Sequence, residues 1–325
     1  MPVSAKARGM LTILAIVMCL AGASHGYEAQ GQTTLAPTAV SFNCTNLAEA
    51  APSDPLRTTF LGVSTLLFDD GETQFLTDGF FSRPLNFLGQ IEPDLARITS
   101  TLQRAGIARL AAVIPFHSHY DHAMDAPEVA KRTGAFLIGS ESTANIGRGW
   151  GLSEERIRVF RAGERLKFGR FDIDVGLSRH SPGSEGGIIA EPLKPPVLAS
   201  AYKEGGTYAL LVTHHGRKLL LGVPGEGHNV QAEVVFLNLA VLGHTGHEED
   251  YWRDIWQRAV LATKARRVIP VHWDFFFFPL EAGLSPIPAA ANVLQILSRL
   301  GAASGVDVQC APLWAKVNPL AGLNP

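Results

Sequence analysis

Between Phe116 and His122 the chain reads Phe-His-Ser-His-Tyr-Asp-His, so three imidazoles (His117, His119, His122) and one carboxylate (Asp121) fall within six residues. Imidazole nitrogen and carboxylate oxygen together suit a borderline divalent ion such as zinc. An apolar run, Leu110-Ala111-Ala112-Val113-Ile114, comes directly before and reads as a buried strand. On an extended segment leaving a strand, alternate side chains point the same way. That predicts His117, His119 and Asp121 on one side, with His122 turned elsewhere, and one loop could then feed two neighbouring metals. The plainer alternative is a histidine-rich surface loop. Four ligand-type residues at this spacing, on the end of a buried strand, weigh against it.

Three histidines and one acid cannot close two metal sites, so further donors must come from other strand ends. His180 ends the segment Phe171 to Leu177 and opens a Gly/Pro-rich loop, Ser181 to Gly187. His272 directly follows Val268-Ile269-Pro270-Val271 and precedes Trp273-Asp274. Alone, a histidine at a strand mouth reads as a hydrogen-bonded rim residue. Beside the upstream cluster, ligation is the better reading for both. His214 and His215 sit at a hairpin turn and read as solvated. His244 is a candidate proton donor lining a pocket, whereas Thr245 and Glu248 fit a capping box for the next helix. Trp273 and Phe275 to Phe278 form either core or the wall of an apolar cleft. The long connection from Ser181 to Gly206 could act as a lid.

The elements that must position these residues are mostly strands. Asp70-Gly71 marks a hairpin between apolar runs ending at Phe68 and beginning at Gln74. Ile91, Leu95, Ile98 and Leu102 recur at helical spacing before Gly106. Asp125-Ala126-Pro127-Glu128 reads as a helix start with cap, early proline and capping-box glutamate. Further helices are expected near 141–146, 250–262 and 293–300. Strands dominate each half with helices interspersed, and two sheets sandwiched by helices is the economical packing.

The chain has 325 residues, 46% apolar and 18% charged, with a formal charge of −2, so it can bury a large core and is not a disordered chain. No Lys/Arg run marks a nucleic-acid partner, and a small-molecule substrate is the expected partner; oligomeric state leaves no trace in the sequence. Residues 1–26 read as a signal peptide: Lys6 and Arg8, an apolar run from Met10 to Leu20, then Ala21-Gly22-Ala23. The run is short for a membrane span, so no stable span is expected after cleavage, and export to the periplasm or medium follows. Residues 27–56 read as an exposed arm, and 57–325 as the domain proper. Cys44 and Cys310 either pair, tying the arm to the last strand, or remain free thiols; the sequence does not choose.

His117-Ser118-His119-Tyr120-Asp121-His122, the preceding Leu76-Thr77-Asp78-Gly79, His180 after its strand and Val268 to Asp274 together resemble the metallo-β-lactamase fold superfamily. They look most like its lactonase-like and phospholipase-D-like branch. The resemblance covers about residues 57–280. It implies an α+β, αββα four-layer sandwich with metals at one edge, between the two sheets. It also implies one metal on His117, His119 and His180, a second on Asp121, His122 and His272, and Asp78 as the acid orienting the cluster. Zinc, one ion or two, is the implied cofactor; iron or manganese would suit the same donors. The implied activity is metal-dependent hydrolysis of an ester, lactone or phosphodiester, with Asp121 holding the second metal or orienting the nucleophile. An iron redox enzyme on the same fold and a non-catalytic metal scaffold are the rivals.

One departure matters. The family's bridging aspartate follows a glycine after the strand matching Lys218 to Leu221, where this chain has Gly222-Val223-Pro224-Gly225-Glu226. Two dications about 3.5–4 Å apart repel by a gross energy on the order of 20 kcal/mol even at an effective dielectric of ~20. Without the usual carboxylate, the second site is expected to be the weaker, unless Glu226 reaches in as a substitute ligand.

Overall fold

The computed structural model describes residues 44–86, 88–225, 230–239 and 248–324. The expected signal peptide, Glu226 and His244 lie outside the described residues.

Alternation builds the first sheet. In Leu66–Asp69, Leu66 and Phe68 join one apolar cluster while Leu67, between them, joins another. Phe75 and Leu76 divide the same way, as do Ala112 and Ile114 against Val113. The register agrees: Phe68 lies opposite Phe75, Leu67 opposite Leu76, and Leu76 opposite Val113. Helices Leu95–Arg104 and Ala126–Thr133 cover the outer face through Ile98, Leu102, Val129 and Ala130. The inner face meets a second sheet, whose Phe171, Ile173 and Val175 alternate inward. Phe75 and Phe171 touch edge to face across the gap, with ring centroids 5.1 Å apart.

The first sheet has seven strands and the second eight, each part parallel and part antiparallel. In the second, Val234–Asn238 and Arg267–Val271 pair in parallel and are apolar almost throughout, because helices Glu248–Trp256 and Pro288–Ser304 supply Trp252, Trp256 and Leu297 to the same cluster. This is the α+β sandwich of two mixed sheets flanked by helices. Parallel strands from both sheets end in Thr77, Ile114 and Val271, and the residues that follow them meet at one edge. Open α/β sheets bind ligands at such carboxyl ends.

From Cys44 on, the arm is exposed at most positions but anchored: Thr45–Asn46 pairs with Asp307–Cys310, Leu47 and Leu56 are buried, and Cys44 forms a disulfide with Cys310, the paired one of the two alternatives. Two local expectations are corrected. Asp125 makes no side-chain cap; its carboxylate instead accepts from the amides of Phe81 and Ser82 and from the Ser82 hydroxyl at 2.6–2.7 Å. His214 is buried rather than solvated, its Nε2 3.3 Å from Asp70 of the opposite sheet's hairpin.

Candidate metal centre

Where the strand Ala112–Ile114 stops, hydrogen bonds to distant segments take over. The Phe116 amide donates to Asp78 Oδ1 at 3.0 Å, and the Ser118 amide to the Glu204 carbonyl at 2.8 Å. The Tyr208 amide donates back to the Phe116 carbonyl at 3.0 Å, so the loop of one sheet is fastened to a strand of the other. Gly205 permits this approach: a Cβ there would lie 2.3 Å from Ser118 Oγ.

The backbone then turns helical instead of staying extended. His119 caps a short helix, Tyr120–Ala123. Asp121 and His122 are therefore neighbours on one helical turn, and both approach His272, while His117 and His119 approach His180. This corrects the expectation that Asp121 sides with His117 and His119.

Two groups of donors result. His117, His119 and His180 offer three nitrogens within 4.8 Å of one another, and Asp121, His122 and His272 offer an oxygen and two nitrogens within the same distance. His117 Nε2 and His119 Nδ1 are 3.0 Å apart; Asp121 Oδ2 is 3.2 Å from His272 Nε2 and 3.6 Å from His122 Nε2. Donors bound at about 2.0–2.2 Å to one tetrahedral ion sit roughly 3.3–3.6 Å apart. The spacing fits a first-row divalent ion.

The hydrogen bonds also set which lone pairs are bare. His122 Nδ1 lies 2.9 Å from Asp78 Oδ2, and His180 Nδ1 lies 2.7 Å from the Ser181 carbonyl. A carbonyl or carboxylate oxygen accepts, so Nδ1 carries the proton in both rings and Nε2 presents its lone pair. Burial holds His117 well below the usual imidazole range, reinforced by His122 and His119. Burial takes His119 down to about 4 against the pull of Asp121, and lowers His180. Burial would raise Asp121, but His122 and His272 beside it win and its carboxyl is lowered. Burial opposes a charged His122, yet Asp78 and Asp121 outweigh it and raise the ring; Asp78 itself is pushed up by burial. Lone pairs and a carboxylate that converge this closely need a cation among them, so the donor set fits a divalent metal.

An aromatic wall stands beside the second triad. The Phe276 ring is 5.5 Å from that of His272, and Tyr120 meets Phe80 and Phe276 edge-on at 6.0 and 6.4 Å. After the strand Arg217–Leu221, where the resemblance implied a carboxylate, stands Val223, whose backbone carbonyl accepts from the Ser178 hydroxyl at 2.6 Å. Two supports were not read from the sequence as parts of the site: the buried ion pair of Arg83 with Asp274, and Asp125, which fastens the segment following Asp78. A lone arginine inside the apolar stretch Phe80 to Leu85 was the available signal for Arg83.

No family model matches the chain. It is 28% identical over 126 residues to a UPF0173 metal-dependent hydrolase of Rhizobium etli, covering 39% of this chain and 48% of that one. It is 31% identical over 123 residues to a UPF0173 metal-dependent hydrolase of Heliobacterium modesticaldum, covering 38% and 45%. The chain thus spans about half the length of the curated relatives it matches. Among solved structures, Igni18, a metallo hydrolase from the archaeon Ignicoccus hospitalis, aligns with a TM-score of 0.49 at 16% identity, covering 81% of this chain and 97% of that one.

Proposed function

We propose that the chain is an exported metal-dependent hydrolase of the metallo-β-lactamase fold superfamily, a reading supported by its H-x-H-x-D-H loop, its two facing sheets and its two donor triads. The observation that carries the proposal is the convergence of six donor side chains from three distant segments into two groups of three, the donor atoms of each within 4.8 Å of one another. A divalent ion held there lowers the pKa of water toward neutrality and polarises the scissile oxygen. The protein's own part is orientation. Asp78 and the Ser181 carbonyl fix the tautomers of His122 and His180, and Asp121 supplies the anionic donor beside His122 and His272. No serine or cysteine nucleophile is needed.

The substrates proposed are esters, lactones and phosphodiesters, with an apolar portion lying against Tyr120, which Phe276 backs. The lactonase-like branch, zinc as the metal, Glu226 as a substitute ligand and His244 as proton donor are parts of the same proposal. Export to the periplasm or medium rests on Lys6, Arg8 and the apolar run after them, and a disulfide between Cys44 and Cys310 suits an oxidising compartment.

The test is elemental analysis of the purified protein, paired with p-nitrophenyl esters, lactones and phosphodiesters assayed with and without chelator. Bound divalent metal and chelator-sensitive turnover on one class are expected. Bound metal without turnover on any class would favour the scaffold reading, which Val223 supports by offering no side-chain donor. Bound iron with redox turnover would favour the oxidoreductase.

A further inference from the structure

We infer that Asp121, His122 and His272 take the first metal ion, the reverse of the order expected from the missing bridging aspartate, and that Asp274, through its hydrogen bond from the Val63 amide, positions them. This rests on the metal-site reading above and goes beyond it by ranking the two triads.

Charge separates them first. His117, His119 and His180 bring three neutral rings, whereas the other triad brings the Asp121 carboxylate, with Asp78 behind His122 at 2.9 Å. A dication gains more from an anionic donor than from a third neutral one, most of all at a site shielded from water. Asp121 is the one anionic donor among the described residues of the two triads.

Rigidity separates them next. His272 sits at φ 57°, outside the region most side chains adopt, and its amide donates to the Val63 carbonyl at 2.6 Å. Val63 is itself at φ 51°, and its amide donates to Asp274 Oδ1 at 2.8 Å. Asp274 Oδ2 takes the Arg83 guanidinium at 2.6 Å, both side chains are 0% exposed, and Arg83 also reaches the Phe278 carbonyl at 3.3 Å. Gly62 completes the arrangement, for a Cβ there would lie 1.9 Å from Arg83 Nη2. Uncommon backbone conformations persist where the surroundings over-determine them, and these do so directly beneath a ligand-type side chain. His180, by contrast, is only partly buried, and its Nδ1 bonds the carbonyl of the very next residue. Less conformational freedom is lost on binding at the second triad. Arg83 and Asp274 cancel in charge, so their effect on the site is positional.

Two comparisons test this on the full chain with Zn2+ alone, in competition with a chromophoric chelator. For the first bound equivalent, His180→Ala is expected to keep Kd within about threefold and His272→Ala to raise it about a hundredfold. The opposite ranking would overturn the inference. Absence of Zn2+ binding by the unmodified protein would instead overturn the metal reading itself. For the positioning claim, Arg83→Met/Asp274→Leu and Arg83→Met/Asp274→Asn both delete the ion pair, but only the second keeps an oxygen for the Val63 amide. The leucine double variant is expected to weaken the first equivalent about tenfold or more, and the asparagine one by less than about threefold. Equal weakening in both, or in neither, refutes the positioning role. Should either double variant lose its cooperative melt, the ranking of His180→Ala against His272→Ala still decides whether the second triad fills first.

Discussion

Each end of the sandwich holds a histidine against an aspartate, yet among the described residues only one end has the makings of a metal centre. At the hairpin end, Asp70 accepts from the amides of Glu72 and Thr73 at 3.0 and 2.7 Å, from Arg170 at 2.9 Å, and lies 3.3 Å from His214 Nε2. Burial would raise its carboxyl, but Arg170 and the two amides take it down to about 2. At the other end, the recorded side-chain partners of Asp121 are the imidazoles of His122 and His272. One carboxylate has a resident guanidinium; the other has lone pairs around it and room for an ion. A His–Asp contact is therefore not itself the signature. What matters is whether the protein supplies the cation.

The largest effect that could break this comparison is metal removal. Chelation is expected to abolish hydrolysis, and re-addition of a divalent ion to restore it, while His214→Ala leaves chelator sensitivity unchanged. Turnover that survives exhaustive chelation would erase the difference between the ends.

Asp78→Asn comes next. An amide offers one oxygen where the carboxylate offers two, so either the Phe116 amide or His122 Nδ1 loses its acceptor. Metal affinity at the Asp121–His122–His272 triad is expected to fall about 10–100-fold, the usual cost of removing a group that orients a ligating histidine. Competition titration measures it, and an unchanged Kd would mean that Asp78 does not orient His122.

Asp125 sharpens the same contrast by pH. Like Asp70 it is buried and accepts from backbone amides, but its three donors are neutral, and burial pushes its carboxyl up to about 6. A carboxyl raised on folding adds stability that is full below the unfolded value near 3.8 and is lost as pH rises through about 6. Asparagine does not titrate. Between pH 4 and 7.5 the stability difference should therefore drift toward Asp125→Asn by roughly 2.5 kcal/mol, most of the shift at 1.36 kcal/mol per pKa unit. Urea denaturation at the two pH values reads the drift; a flat difference would show that Asp125 is ionised throughout.

The contrast also explains what could be read from the sequence. The donors clustered at 117–122 and the strands leading to His180 and His272 were legible, because ligand-type residues stood at the ends of apolar runs. The sheets were legible through alternation such as Leu66, Leu67 and Phe68. The turn at His119 was not, since a four-residue helix carries no periodicity. Asp125 satisfied every local criterion for a helix cap, but its partners lie 43 and 44 residues away. Arg83 and Asp274 are 191 residues apart, and neither has a local partner that would announce it. Long-range partners of buried charges are set by tertiary packing, which a local pattern does not encode.

The smallest expected effect belongs to His214, and it tests the closed end directly. His214→Phe deletes the contact at 3.3 Å but keeps a ring against Phe171, whose centroid is 4.8 Å away. Asp70 is not left short of donors, because Arg170 and the two turn amides remain. The loss should then be about 1 kcal/mol, the net worth of one hydrogen bond, and not the larger penalty of an orphaned buried carboxylate. Zn2+ affinity should not move. Chemical denaturation and chelator competition on the same variant check both halves: a loss above about 3 kcal/mol would show that Arg170 does not satisfy Asp70 alone, and a changed Kd would show that the two ends are coupled.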